Sequence, residues 1–399
     1  MRLERLMVFN IKVRDIVSFI LITFALFVAF QPDYFSTVGF LELMNQYFRI
    51  MVIIFLIVYV FLFGWGYSFK ISLIISAFYI LQAFLDYYHD EDIQMNYFMM
   101  YIAISFFFEL KLQENFKFTI KLLAILLGIY ICINLFTVFM FPEGLFLSAV
   151  TQNPCYFLGH RNTIVKIAIP AIICESIYFS MDHKKKAKLF TALIWLINFI
   201  VEYKVWSGSG MISLAVLAAV YIITCFYPKL IMCWEIYVTG ICAFLCISIF
   251  RLQDKMAFII EDILHKDLSM TGRTNFWDIG ISFIKKNFFT GTGRISSIYL
   301  GKDYVGFQTL HSFYLDTLFR GGIILTLVLT IVILYSTKNI SSIKNNSQKA
   351  ILNAGLAGYL CLGLVEPISD NIQALMFLIM IIGYWTVRFC NENKIEYNC

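Results

Sequence analysis

Twelve times along this chain an apolar run approaching the thickness of a hydrocarbon layer gives way to a short polar or charged break. A helix needs about 20 predominantly apolar residues to cross about 30 Å of hydrocarbon. The runs occupy 16–30, 50–65, 71–87, 95–110, 118–141, 163–179, 189–201, 211–227, 230–250, 313–335, 350–364 and 372–387. The shorter ones must recruit interfacial tyrosine and tryptophan at their ends. The runs are apolar all round rather than striped, which excludes the surface helices of a soluble domain. Composition agrees, with 60% of the 399 residues hydrophobic and 14% charged. The expectation is an all-α integral membrane protein of about twelve transmembrane helices, a single polytopic domain over 1–399.

Charge orients the runs. With the N-terminus inside, alternate loops and helix ends carry 18 lysines and arginines. The opposite short loops and helix ends carry 4, namely Arg49, Arg161, Lys166 and Lys204. That bias predicts both termini in the cytoplasm. The net charge of +5 is then a matter of topology, and nucleic acid is not expected as a partner. The basic N-terminus leads into a retained first helix, since no small-residue cleavage site follows Phe30. Of ten cysteines, most lie inside apolar runs, with neither a disulfide framework nor zinc spacing.

The stretch 251–310 departs from a bare bundle. It is far longer than a connection between packed helices requires, and long enough to escape the charge rule despite its own basic residues. Within it Phe276, Ile279 and Phe283 interleave with Trp277, Ile281 and Ile284. On a helix these fill an apolar arc of about 200°, leaving Asp278, Ser282, Lys285 and Lys286 on the remainder. An amphipathic helix is expected there, lying on the outer membrane surface or capping the bundle.

Three segments expected on that outer face hold residues able to do chemistry. In FLGHRNTIVK, Arg161 and Lys166 stand at the top of the sixth run beside His160. Two cations there need water, an anion or lipid head groups nearby. In MTGRTNFWDIG, Arg273 precedes the amphipathic helix; it is either a solvated charge or a planar fork aimed at a phosphate. In LHSFYLDTLFRGG, His311 stands at the mouth of the tenth run. Tyr314 would share its helix face, while Asp316, about 140° round, would turn toward Arg320 to form an ion pair.

Other motifs read as structural. FFTGTGR at 288–294 lacks the Gly-Lys-Ser/Thr ending of a phosphate-binding P-loop and reads as a flexible turn. WSGSG at 206–210 reads as a tight turn between two spans, and Gly355, Gly358 and Gly363 as sites of close helix packing. Glu175 and Glu366 are secondary candidates for charge partners. Asp90 and Asp92 beside His89 are either a solvated acidic loop or a weak divalent-cation site; no metal is expected.

Taken in order, GHRN, WSGSGM, TGRTNFW, FFTGTGR and LHSFYLDTLFRGG resemble the O-antigen polymerase and O-antigen ligase superfamily, whose polymerases are called Wzy. The likeness runs from about Cys155 to Leu325, the first 140 residues matching only as apolar spans. It departs at Ser207, Gly208, Ser209 and Gly210, where many relatives have Ser-Arg-Gly. The resemblance implies a GT-C-like bundle in the bacterial inner membrane, acting on the outer face as a glycosyltransferase without metal or other cofactor. It implies a polyprenyl-pyrophosphate-linked oligosaccharide donor and, besides membrane lipid, a chain-length regulator and a flippase as partners. Arg161 and Arg273 would bind the donor pyrophosphate. His311, at its unperturbed pKa near neutrality, would accept the acceptor's proton. Lys166, Arg294, Arg320 and Tyr314 would surround the substrate. A polymerase joining lipid-linked repeat units is the leading reading. Ligase transfer to lipid A core is the nearest alternative, and a lipid-linked oligosaccharide flippase or transporter the next. A flippase would need charges distributed along a central cavity and have little use for a long structured loop.

Overall fold

A backbone in hydrocarbon has no water to bond, so each long apolar run closes its hydrogen bonds internally as a helix. The computed structural model describes residues 7–8, 11–37, 39–89, 95–148, 152–181, 185–252, 273–294, 309–368 and 370–392. Among these are thirteen α-helices: α1 (Val13–Ala29), α2 (Gly39–Phe63), α3 (Lys70–Tyr88), α4 (Met95–Glu114), α5 (Phe116–Met140), α6 (Arg161–Ser180), α7 (Lys185–Lys204), α8 (Gly208–Phe226), α9 (Cys233–Phe244), α10 (Arg273–Lys286), α11 (Phe313–Thr337), α12 (Asn346–Leu362) and α13 (Asp370–Glu392). Every expected run lies on a helix, and α10 is the additional one from the long loop. Seven of the helices are long and apolar enough to cross a membrane. Ile54, Phe55, Phe61, Leu73, Phe84 and Phe136 are each more than half exposed. A soluble protein does not leave so wide an apolar band uncovered, and lipid is what covers it here. The chain is an all-α integral membrane protein.

Hydrogen bonds and ring contacts define two ends of the bundle. At one, the buried Glu109 carboxylate near the end of α4 accepts from Ser72 N at 2.8 Å and Ile71 N at 3.4 Å. It thereby satisfies backbone donors at the start of α3. Lys111 Nζ donates to Ser18 Oγ of α1 at 3.0 Å and to Glu114 at 2.9 Å. Phe116 at the start of α5 stacks on Phe389 of α13, ring centroids 4.7 Å apart. At the other end a three-stranded antiparallel sheet, β1 (Phe146–Leu147), β2 (Pro154–Tyr156) and β3 (Gly159–His160), leads into α6. It is tied to α5 by Leu158 N donating to Asn134 Oδ1 at 3.0 Å. Gly159 has φ +116°, and a Cβ there would lie 1.9 Å from the Asp33 carboxylate. Only glycine fits in the motif GHRN at that position.

Between the ends, Gly355 of α12 admits Ile173 of α6, and Gly358 receives Leu217 of α8 and Ile169 of α6. Close packing is thus what these glycines provide.

The described part of the long loop is ordered against the bundle. Phe276, Trp277, Gly280 and Ile284 form the buried face of α10, in a cluster with Phe244 of α9 and Leu310, Leu315 and Phe319 at the head of α11. The buried arc is about 100°, half that expected, because α10 packs against Phe244 of α9 and the head of α11 rather than on a flat surface; Phe283 stays 36% exposed. The FFTGTGR segment, expected as a flexible turn, is instead a latch. Helix α11 is broken at Gly322, with φ +58° and ψ −157°. Thr292 N and Gly293 N donate to the carbonyls of Phe319 and Arg320 at 2.7 and 3.0 Å. Ile323 N and Ile324 N beyond the break donate to Phe288 O and Phe289 O at 2.9 and 3.3 Å. A Cβ at Gly291 would lie 2.6 Å from the backbone of Arg320, Gly321 and Gly322. The broken helix is tolerated because every group freed at the break named here has a partner in the latch.

Candidate active site

One carboxylate gathers the motifs. Glu366 lies just past α12, its N–H donating to Leu362 O at 3.0 Å, and the residue is only 3% exposed. Its Oε1 accepts from Arg273 Nη2 at 2.7 Å, from Asn162 Nδ2 at 2.9 Å and from Ser209 Oγ at 3.2 Å. Arg273 comes from TGRTNFW at the start of α10, Asn162 from GHRN at the start of α6 and Ser209 from WSGSG at the start of α8. A buried carboxylate costs several kcal/mol in lost hydration unless paired and hydrogen-bonded. Here one cation and two neutral donors meet it. Ser207 caps α8, its Oγ accepting from Gly210 N at 3.2 Å, and lies 3.5 Å from Asn162 Oδ1. Beside this network Lys166 Nζ donates to Pro367 O at 2.8 Å, and Tyr359 OH donates to Lys166 O at 2.9 Å. Glu202, at the end of α7, is fully buried against Ser207 and Gly210.

His311 is held by its neighbours. Leu310 O accepts from Trp277 Nε1 at 2.9 Å, and Leu310 N donates to Asp316 Oδ1 at 2.8 Å. Two residues on, Phe313 N donates to Gly363 O at 2.8 Å. His311 between them has φ +52°, a left-handed conformation unusual for a side-chain-bearing residue. Its ring meets Phe276 edge to face, centroids 6.3 Å apart. Burial pushes the imidazole pKa down to about 4, the Arg273 charge pushes it further the same way, and Glu366 opposes them. The expected value near neutrality is corrected accordingly. His160 is also lowered, by burial and then by Arg161. Asp33, behind Gly159, is pushed up to about 6 by burial against the opposing charge of Lys166.

The remaining candidates scatter around this centre. Arg161 is the first residue of α6, half-buried and electrostatically coupled to His160 and Tyr156. No hydrogen bond or ion pair joins it to Glu366 among the described residues. Tyr314 does not share a helix face with His311, because α11 begins only at Phe313. Its hydroxyl donates to Leu360 O at 3.1 Å and its ring stacks on Phe244 at 5.0 Å, inside the bundle. Asp316 and Arg320 line a small cavity with Gln82 of α3 and Gln373 of α13, and Arg294 N donates to Asp86 Oδ1 at 3.0 Å. Asp90 and Asp92 lie outside the described residues.

Fold and site together define a polytopic membrane protein whose buried polar centre, at one end of a helix bundle, is covered by a loop helix. Within that class, residues 189–330 match the family model Wzy_C, described as O-antigen ligase. The match runs from α7 through most of α11. It contains Ser209, Arg273 and His311, and supports the O-antigen ligase and Wzy superfamily. Asn162, Lys166 and Glu366 lie outside the matched segment. No curated protein matches the chain. Over the matched residues the chain is similar to membrane enzymes of the O-antigen ligase or polymerase kind.

Proposed function

We propose that the protein is a polysaccharide polymerase. It transfers glycan from a polyprenyl-pyrophosphate-linked donor to the terminal sugar of a lipid-linked repeat unit, on the outer face of the inner membrane and with both termini cytoplasmic. The observation that carries this reading is the meeting of Arg273, Lys166 and His311 around the buried Glu366 carboxylate, Arg273 pairing with it at 2.7 Å from the start of α10. The bond to the anomeric carbon breaks with its electron pair leaving on the pyrophosphate. A hydroxyl of the acceptor forms the new bond, and its proton passes to the neutral His311 imidazole. Negative charge grows on the leaving group, so fixed cations in a poorly hydrated pocket favour the transition state over the ground state. Arg273 is the donor clamp, with Lys166 and Arg161 adding positive potential, and Arg294 and Arg320 flank the path of the lipid-linked chains. The donor is already activated, so neither ATP nor metal is required.

Glu366 is a positioning residue in this scheme. It holds the Arg273 guanidinium in place, and its charge limits the cost of burying the cations beside it. Complementation of a polymerase-null strain, scored by surface polysaccharide length with membrane abundance measured in parallel, tests the assignment. Arg273→Ala and His311→Ala should abolish long chains. Arg273→Lys should fail nearly as badly, because an ammonium cannot reproduce the bidentate fork. Wild-type chain lengths from well-expressed His311→Ala and Arg273→Ala proteins would remove both residues from the reaction. Failure of the wild-type protein to restore chains in that strain, with restored transfer of full-length polymer off its lipid carrier in a ligase-null strain, would favour the ligase reading.

A further inference from the structure

At the end of the bundle opposite Glu366, the end of α4, the start of α5 and the end of α13 line an open cavity of about 700 Å³. That volume suits a small organic group. Its walls divide by chemistry. The Phe116 and Phe389 stack and the Trp385 ring form an apolar side, while Gln113, Glu114, Asn115, Lys117 and Arg388 form a polar one. Glu114 is already neutralised by Lys111 at 2.9 Å. Asn115 is occupied as the N-cap of α5, accepting from Phe118 N at 3.2 Å, and Gln113 is tied to the backbone of Ser68 at 2.8 Å.

Two cations remain. The Arg388 guanidinium lies over the rings of Tyr384 and Trp385, at 5.1 and 5.0 Å, so aromatic faces hold it in place and leave its N–H groups for another partner. Neither Arg388 nor Lys117 forms an ion pair among the described residues. The cavity is therefore positive on one wall and aromatic on another, at the level where helices end and the membrane interface begins. Basic pockets between helix ends at such an interface suit phosphate-bearing lipid head groups. An inorganic anion would use the charge and leave the aromatic wall idle.

We propose that this cavity binds the head group of an anionic phospholipid from the leaflet at this end, independently of the reaction assigned to the other. The test is native mass spectrometry of the purified full chain in detergent, titrated separately with short-chain phosphatidylglycerol, short-chain phosphatidylcholine and inorganic phosphate. Phosphatidylglycerol should be retained, and phosphatidylcholine and phosphate should not. Neutralising a cation near such a head group weakens binding about fivefold. Lys117→Gln and Arg388→Gln should each show that loss, and the double variant about 25-fold. Lys285→Gln on α10 should leave retention unchanged. Lys117 is exposed, so its variant folds normally and decides the matter even if Arg388→Gln is unstable. Equal retention by wild type and Lys117→Gln would overturn the proposal, as would equal retention of phosphatidylcholine. Binding of inorganic phosphate as tightly as of the lipid would also overturn it, making the cavity a free-phosphate site.

Discussion

At His311 burial and a neighbouring guanidinium act in the same direction, keeping the imidazole neutral and weakly basic. The sign of the pH dependence follows. A base must be unprotonated to act, and kcat/KM reports the free enzyme. Its acid limb should therefore fall near pH 4 rather than near the ordinary imidazole value. Donor pyrophosphate would offset the Arg273 charge and raise the His311 pKa, so the acid limb of kcat should lie at higher pH than that of kcat/KM. Initial rates in proteoliposomes across pH, with and without saturating donor, measure both. Coincident limbs near pH 6.5 would mean that His311 is solvated in the working enzyme. At saturating donor, His311→Ala should lower turnover by about 10² to 10⁴. Much of this site was legible in the sequence: GHRN, TGRTNFW and the histidine-led segment do meet. The hub was not. Glu366 stood out only as a charge partner, because its donors lie 93, 157 and 204 positions away in the chain, and no spacing rule links residues so far apart. Ser209 was hidden in a turn motif whose glycines explained it sufficiently.

Among the elements, the latch between the long loop and α11 makes the sharpest demand on residue type. Gly291 has φ +69°, and a Cβ there would press on backbone, which cannot move aside as a flexible side chain could. Gly291→Ala should destabilise the protein by about 1–3 kcal/mol. Gly208→Ala, at a position where a Cβ meets nothing within 4 Å, should be neutral. Thermal stability read by fluorescence-detected size-exclusion chromatography separates the two. A Gly291→Ala protein as stable as wild type would mean that the loop sits more loosely on the helix than the hydrogen bonds indicate. The sequence misled here for a physical reason. Glycine and threonine permit a free turn and a lodged one equally, and what decides is the break at Gly322, visible in the sequence only as a glycine pair in an apolar run. The apolar pattern of α10 was legible, but its buried width depended on the shape of its partner.

On the scale of the whole molecule, the arrangement of helix ends agrees with the alternation inferred from charge: the segments expected outside lie together at the Glu366 end. Absolute orientation is a separate matter, and reporter fusions decide it. A reporter active only outside the cytoplasm should be active when fused after Leu268 and silent after Lys185. The opposite pattern would put the Glu366 end in the cytoplasm and remove the polymerase reading. The apolar runs were legible as helices because hydrocarbon leaves a spanning backbone no other choice, and seven of the helices have the length and apolarity of a span, whereas contacts between them depend on side-chain shape and were not. The latch also has a meaning for biosynthesis. A ribosome makes Phe288–Gly293 before Phe319–Ile324, so the segment that fills the break in α11 exists before the helix that contains the break. When that helix partitions into lipid, its freed carbonyls and amides can dock on chain already synthesised. Severing the two, by a circular permutation that makes α11 first, would instead ask the insertion machinery to release a broken helix with bare polar groups into the membrane.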